Sequence, residues 1–255
     1  MTLSSIHSFD ERRNIALPGS PDQAQEFAVQ YLINVAQKAI ETTGRFVVAL
    51  SGGSTPKKIF TLLATPKYRN AVDWSKAFLF WSDERAVPPD HPDSNYKMAM
   101  DFGFSKLAVN PDQIFRMKAE SHIQEHALEY EKIIRKVLNG HPFDLIMLGM
   151  GEDGHTASLF PDTKALHIHD RWVVANEVPQ KNCWRMTFTY TLINHSRNTC
   201  LYVMGMDKKD MVVKVLMDRS NSFPVAKVGT QDHPALWILD DTAKSELVKE
   251  WKPEN

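Results

Sequence analysis

Phe46-Val47-Val48-Ala49-Leu50 is an unbroken apolar run that stops at Ser51-Gly52-Gly53-Ser54-Thr55-Pro56. This junction limits the available folds more than any other feature. A short apolar run with β-branched members and no alternation predicts a strand covered on both faces, and such strands belong to parallel sheets. Phe78-Leu79-Phe80-Trp81 and Leu145-Ile146-Met147-Leu148 repeat the pattern. Helices are predicted around these runs. Ser20-Pro21-Asp22 supplies a cap with Pro at the first helical position, and Ala24, Phe27, Ala28, Tyr31, Leu32, Val35, Ala36, Ala39 and Ile40 keep helical spacing up to Gly44. Further helices are read from Pro56 to Leu63, Ser121 to Leu138 and Lys208 to Met217. Trp172 to Ala175, Met186 to Ile193, Cys200 to Met204 and Ala235 to Leu239 read as strands, and the alternation of Thr187-Phe188-Thr189-Tyr190-Thr191 predicts a half-exposed one at an edge. The fold class that follows is α/β: a mainly parallel, doubly wound, Rossmann-like sheet flanked by helices, with some additional or edge strands.

A chain of 255 residues with 43% hydrophobic and 24% charged residues has enough apolar surface for a packed core, which excludes collagen-like and largely disordered classes. No fixed-period repeat, low-complexity tract or long linker divides it, so 1–255 is read as a single domain. Lys+Arg 30 against Asp+Glu 31 gives a net charge of -1. No overall field is available to hold a polyanion, so nucleic acid is not an expected partner, while local cations remain free to bind a small anion. Cys183 and Cys200 match neither a disulfide framework nor zinc-site spacing and read as buried free thiols. The stretch from Met1 to Pro18 lacks the apolar core of a signal peptide, and no window approaches the roughly 18 apolar residues of a membrane span. A cytoplasmic protein without membrane contact is expected, as a monomer or small homo-oligomer.

In a doubly wound sheet, ligands collect beyond the carboxyl ends of the strands. Three apolar runs end there in special sequences. Ser51 to Thr55 offers tight turns, hydroxyls and the N–H groups of a helix start, which suit a phosphate; an ordinary glycine turn is the plain alternative, because the segment is neither a dinucleotide fingerprint nor a P-loop. Ser82-Asp83-Glu84-Arg85 carries two acids and a guanidinium out of a buried strand, either as a solvated cluster or as pocket polarity. Leu148 to Pro161 presents His155 among Gly149, Gly151 and Gly154, a placement suited to a base near neutral pH, with Thr156 placed to open a short helix. Arg185 and Lys208 stand at further strand ends, where they complete a phosphate pocket or form surface ion pairs. The loop from Pro88 to Asn95 is the expected mobile surface feature.

These blocks make the chain resemble the 6-phosphogluconolactonase family, related to the glucosamine-6-phosphate deaminases. The resemblance rests on Ser51 to Pro56, on Trp81-Ser82-Asp83-Glu84-Arg85 with Asp93-Ser94-Asn95-Tyr96, and above all on Gly149 to Pro161. It continues through Arg185-Met186-Thr187, Gly205 to Lys208, Pro224 to Ala226 and Trp237 to Asp240. It implies hydrolysis of 6-phosphoglucono-δ-lactone to 6-phosphogluconate, the second step of the oxidative pentose phosphate pathway, with no metal or organic cofactor and a small sugar phosphate as the partner molecule. Carried over, His155 is the general base, and Asp83 and Arg85 shape the catalytic pocket. Ser51, Gly52, Gly53, Ser54, Thr55, Gly151, Asp153, Arg185 and Lys208 are implied to bind substrate and its phosphate. The approach to Arg185, Val178-Pro179-Gln180-Lys181-Asn182-Cys183-Trp184, departs from the family's Pro-rich pattern.

The related deaminases place an acid shortly after the corresponding His, in a segment like Asp-Gly-His-x-Ala-x-Asn-Glu-Pro. Here that register reads Asp153-Gly154-His155-Thr156-Ala157-Ser158-Leu159-Phe160-Pro161, so Phe160 stands where the acid would be. A phenyl ring exchanges no proton, which disfavours an amino-sugar isomerase or deaminase. A sugar-phosphate-binding regulator without catalysis is the alternative of a different class. Ser158, near a His, invites a nucleophile reading but lacks the Gly-x-Ser-x-Gly elbow.

Overall fold

A computed structural model of the chain describes residues 6–218, 220 and 222–252. The first five residues of the Met1 to Pro18 segment lie outside the described residues. The larger sheet has seven strands in the order β1-β2-β10-β9-β6-β3-β4. These are β1 Ile6–Asp10, β2 Arg13–Gly19, β3 Phe46–Leu50, β4 Ala77–Trp81, β6 Leu145–Leu148, β9 Thr199–Val203 and β10 Ala235–Asp240. Only β1 and β2 pair antiparallel; every other neighbouring pair is parallel. A smaller antiparallel sheet runs β5-β8-β7, from Asp83–Arg85, Cys183–Phe188 and Val173–Val178. The flanking helices include α1 Pro21–Thr43, α2 Ser54–Leu63, α3 Asn95–Phe102, α4 Ile123–Leu138 and α6 Lys209–Met217. The architecture is the expected one, mainly parallel α/β with added strands.

Local chemistry accounts for most element ends. Ser20 accepts a hydrogen bond from the Gln23 N–H, and the Gln23 side chain accepts one from the Ser20 N–H at 2.8 Å, a reciprocal cap that starts α1. Gly44 ends α1 in the left-handed region and donates its N–H to the Ile40 carbonyl. β3, β6, β9 and β10 are buried at every residue, as their lack of alternation predicts.

Several expectations are corrected. α2 starts at Ser54, ahead of Pro56, because first-turn N–H groups have no intrahelical partner and Pro loses nothing there. Met186 to Ile193 is not one strand: β8 stops at Phe188, and the short helix α5, Tyr190–Ile193, begins after Thr189 turns its hydroxyl onto the Arg171 carbonyl at 2.6 Å. Nor is β8 an edge. It is the middle strand of its sheet, and Thr187 survives burial because its hydroxyl accepts from the Ser158 N–H and donates to the Phe188 carbonyl. Thr156 opens no helix; its hydroxyl donates to the Gly149 carbonyl at 2.8 Å and its backbone bridges to Leu159. Cys200 is buried, but Cys183 is only half-buried. The hairpin of β1 and β2 lacks a strong period-2 signal and is recruited by pairing of β2 with β10. Among the described residues, no helix is long and apolar enough to cross a membrane.

One of the chain's crossings between the two sheets is a single residue long. β4 passes into β5 through Ser82, whose N–H and hydroxyl both donate to the Leu50 carbonyl, at 2.8 and 3.1 Å, while its own carbonyl accepts from the Phe188 N–H. On the far side, Glu131 of α4 clamps the smaller sheet: its carboxylate accepts the N–H groups of Trp172 and Val173 at 2.9 and 3.1 Å and pairs with Arg135 and Arg171. Burial pushes this carboxyl up, but the hydrogen bonds from Arg135, Trp172, Val173 and Arg171 outweigh it and hold it below its ordinary value of 4.5. Glu131→Ala is therefore expected to cost about 2–3 kcal/mol in urea denaturation at pH 7. The folded carboxyl titrates below the unfolded one, so its contribution is complete above pH 4.5 and fades as pH falls further. The gap between wild type and variant should shrink over that acidic range.

Candidate active site

One cavity opens where β3, β6 and β9 end and the smaller sheet begins. Ser51, Gly52, Gly53, Ser54 and Thr55 reach it from the β3–α2 turn, Gly151 and His155 from the segment after β6, Asp83 and Arg85 from β5, Arg185 from β8, and Lys208 from the turn after β9. Of the residues that the resemblance implies for catalysis or binding, Asp153 alone is not in the cavity wall. It stands behind His155.

His155 is held from two sides. Asp153 Oδ1 lies 2.5 Å from His155 Nδ1 and also accepts the His155 backbone N–H at 3.1 Å. Burial pushes the Asp153 carboxyl up, but the hydrogen bond and the charge of His155 outweigh it and leave it below the usual carboxylate range, so it stands as an anion. With Nδ1 donating to that anion, Nε2 carries the ring's free lone pair. The ring also stacks on Phe160, with centroids 3.9 Å apart and planes 20° apart. Gly151 makes room for this arrangement: a Cβ there would sit 2.0 Å from His155 Nδ1. Its backbone N–H is bonded to the His155 carbonyl, which closes the turn.

The acidic strand end is not a solvated cluster. Asp83 and Glu84 are both buried. The Asp83 carboxylate accepts the Ser158 hydroxyl at 2.7 Å and the Asn95 side-chain amide at 3.2 Å. Glu84 accepts the N–H groups of Arg85, Asn95 and Tyr96, each at 2.8 Å, and the Ser94 hydroxyl, so it caps α3. Burial pushes the Glu84 carboxyl up in spite of those donors. The Pro88 to Asn95 loop is stitched down by Arg85 Nη1, which donates to the Asp93 carbonyl at 2.5 Å, and by the Ser94 N–H on the His91 carbonyl.

Arg85 and Arg185 are direct cross-strand partners of β5 and β8. Like charges placed opposite each other repel, and neither guanidinium forms an ion pair with a carboxylate among the described residues. Arg85 Nε is buried without a hydrogen-bond partner among them. Both features favour an anion between the two guanidiniums. Lys208 adds a third cation, with Nζ 3.1 Å from Asp207. The start of α2 adds donors: Gly53 caps the helix without a side chain, and the first intrahelical bond runs from the Lys57 N–H to the Gly53 carbonyl. The N–H groups of Ser54 and Thr55 therefore have no intrahelical acceptor.

Sequence reasoning left Asn95 without a role. Its amide bonds Asp83, and a Cβ on Gly52 would fall 1.8 Å from its Oδ1, so Asn95 braces the acid strand against the Gly52 turn. The Ser94 cap, which accepts from the Lys97 N–H, is the local signal that would have placed α3.

The sequence profile of the family described as glucosamine-6-phosphate isomerases/6-phosphogluconolactonase matches residues 19–237. The chain belongs to this family. The 6-phosphogluconolactonase of Chlamydia trachomatis serovar D is 39% identical over 249 residues, covering 96% of this chain and 95% of that relative. The solved 6-phosphogluconolactonase from Trypanosoma cruzi is 28% identical with a TM-score of 0.81, covering 94% of this chain and 98% of that one. A monomeric glucosamine-6-phosphate deaminase, 18% identical over 91% of this chain and 99% of its own, superposes with a TM-score of 0.77 and so shares the fold. Within this family framework, Gly151 makes a sharp local test. Gly151→Ala should displace the imidazole and move the His155 ring 15N resonances, whereas Gly149→Ala, where nothing lies within 4 Å of the added Cβ, should leave them in place.

Proposed function

We propose that this chain hydrolyses 6-phospho-D-glucono-1,5-lactone to 6-phospho-D-gluconate, with His155 as the general base, no metal and no organic cofactor. The observation that carries the reading is His155, backed by Asp153, in the wall of a cavity that also holds Arg85, Arg185 and Lys208. A base and a cluster of cations in one small cleft suit an ester that carries a phosphate at its far end. The curated relatives named for this activity and the match along nearly the whole chain support it.

In this mechanism neutral His155 takes a proton from water at Nε2 as the water oxygen attacks C1 of the lactone. Asp153 steadies the imidazolium that forms. The C1 oxygen becomes an oxyanion that Arg85 or backbone N–H groups neutralise. Collapse breaks the bond from C1 to the ring oxygen, which takes its proton from the imidazolium. The new acid releases its proton to solvent, so the balance is lactone plus water to carboxylate plus proton. Arg185, Lys208 and the Ser51 to Thr55 turn hold the phosphate, which positions C1 over the base.

Ser158 plays no covalent part in this scheme: it is fully buried and its hydroxyl is committed to Asp83. The deaminase reading is disfavoured because Phe160, in the register of the deaminase acid, lays an aromatic ring against His155. The continuous core spanning both sheets supports 1–255 as one domain. Unpaired Cys183 and Cys200 are in keeping with a reducing, cytoplasmic setting.

His155→Asn should lower kcat by about 10²–10⁴-fold while 6-phosphogluconate still binds, as measured with freshly generated lactone after subtraction of the spontaneous rate. Near-normal kcat would remove His155 from the chemistry, and ammonia release from glucosamine 6-phosphate would restore the deaminase reading. Lys208→Ala should raise KM about tenfold or more for the phosphorylated lactone with little change for unphosphorylated gluconolactone; equal effects on both would place Lys208 away from the phosphate.

A further inference from the structure

Phe160 touches both halves of the site without entering its wall. Its ring stacks on His155, with centroids 3.9 Å apart, and the Arg185 guanidinium carbon lies 5.8 Å from the same ring centroid. The ring is buried. Its backbone is pinned on the side facing β7: the Phe160 carbonyl accepts the Thr163 hydroxyl at 2.8 Å, and Asn176 donates from β7 to both the Ser158 carbonyl and the Thr163 hydroxyl, at 2.9 and 3.1 Å. One rigid aromatic plate thus backs the imidazole after β6 and the guanidinium on β8, two groups that reach the cavity from different sheets.

We infer that Phe160 is a shared positioning residue, which sets the spacing between the general base and Arg185 and thereby matches the site to a lactone carrying an anion at the far end of its carbon chain. The inference rests on the roles proposed for His155 and Arg185. A flat ring restricts the imidazole's rotation about its side-chain bonds, so that Nε2 stays aimed while Asp153 holds Nδ1. The same π surface attracts the guanidinium, which has no carboxylate partner among the described residues and is otherwise held by Nε donating to the Cys183 sulfur at 3.4 Å. Leucine would fill much of the volume without providing either the plate or the π charge.

The test is Phe160→Leu beside Phe160→Tyr, each compared with His155→Asn and Arg185→Ala alone and in combination. Phe160→Leu should lower kcat roughly tenfold and raise KM for the phosphorylated lactone about two- to fivefold. Phe160→Tyr should restore both. On unphosphorylated gluconolactone only the kcat effect should remain, because Arg185 is then idle. Combined with His155→Asn, the kcat loss of Phe160→Leu should largely vanish, and combined with Arg185→Ala, its KM effect should vanish. The His155 Cε1 proton should lose its ring-current shift in Phe160→Leu, and the Kd for 6-phosphogluconate should rise two- to fivefold; both readouts hold whatever the turnover. A folded Phe160→Leu enzyme with kcat, KM and the His155 resonance all close to wild type overturns the inference, as does full additivity in both combinations. Failure of the parent reading shows elsewhere, as a wild-type protein that does not accelerate lactone opening.

Discussion

The buried hydrogen bond from Ser158 to Asp83 joins the two parts of the molecule that its chemistry requires together. Asp83 opens β5 in the smaller sheet, and Ser158 ends the turn that carries His155 away from the larger one. Breaking this contact would strand a carboxylate in a site where, among the described residues, only the Asn95 amide remains to serve it, so the contact is costly to lose and holds the sheets in one relation. Ser82 reinforces the junction by bonding Leu50 on one side and Phe188 on the other. The cavity is the space left where these elements meet. Buried polar contacts fix its frame, and the long side chains of Arg85, Arg185 and Lys208 complete its wall.

Electrostatics then decides what the space accepts. The chain as a whole is nearly neutral, at -1, yet Arg85, Arg185 and Lys208 share one cavity. Placing two arginines opposite each other across β5 and β8 works against folding. An anion between them would relieve the repulsion, which suits the phosphate-holding role proposed for this part of the cavity. His155, the proposed base, sits on a different element, after β6, with Asp153 against its Nδ1. In the proposed mechanism, separation of the cationic patch from the Asp–His pair lets one cleft hold a charged group and deprotonate water at the other end.

The strands β3, β4, β6, β9 and β10 were legible in the chain because burial on both faces leaves a continuous apolar run, and α1 because its cap, Pro21 and Gly44 are local signals. The smaller sheet was legible only in part, through Trp172 to Ala175 in β7 and the start of Met186 to Ile193 in β8, and β5 was not. β5 is the three-residue segment Asp83-Glu84-Arg85, whose charged side chains contradict strand propensity until Ser158, Asn95 and the N-terminus of α3 satisfy the acids. The alternation around Thr187 looked like an exposed edge because a hydroxyl buried among hydrogen-bond partners has the same sequence signature as one facing water. Every site residue named from motifs sits in or directly behind the cavity, while Asn95 as a brace and Phe160 as a plate emerge only from contacts.

From its residues alone the chain settles the class of fold and the chemical inventory: buried parallel strands, polar turns at their ends, one histidine among glycines, and cations at separate strand ends. These are short-range properties, written in periodicity and in turn chemistry. Tertiary structure decides which of those groups meet, since Arg85 and Arg185 are 100 positions apart in sequence yet face each other across a ladder, and Ser158 finds Asp83 from the opposite side of the cleft. Distances of that kind arise from packing and strand register, which no local pattern encodes.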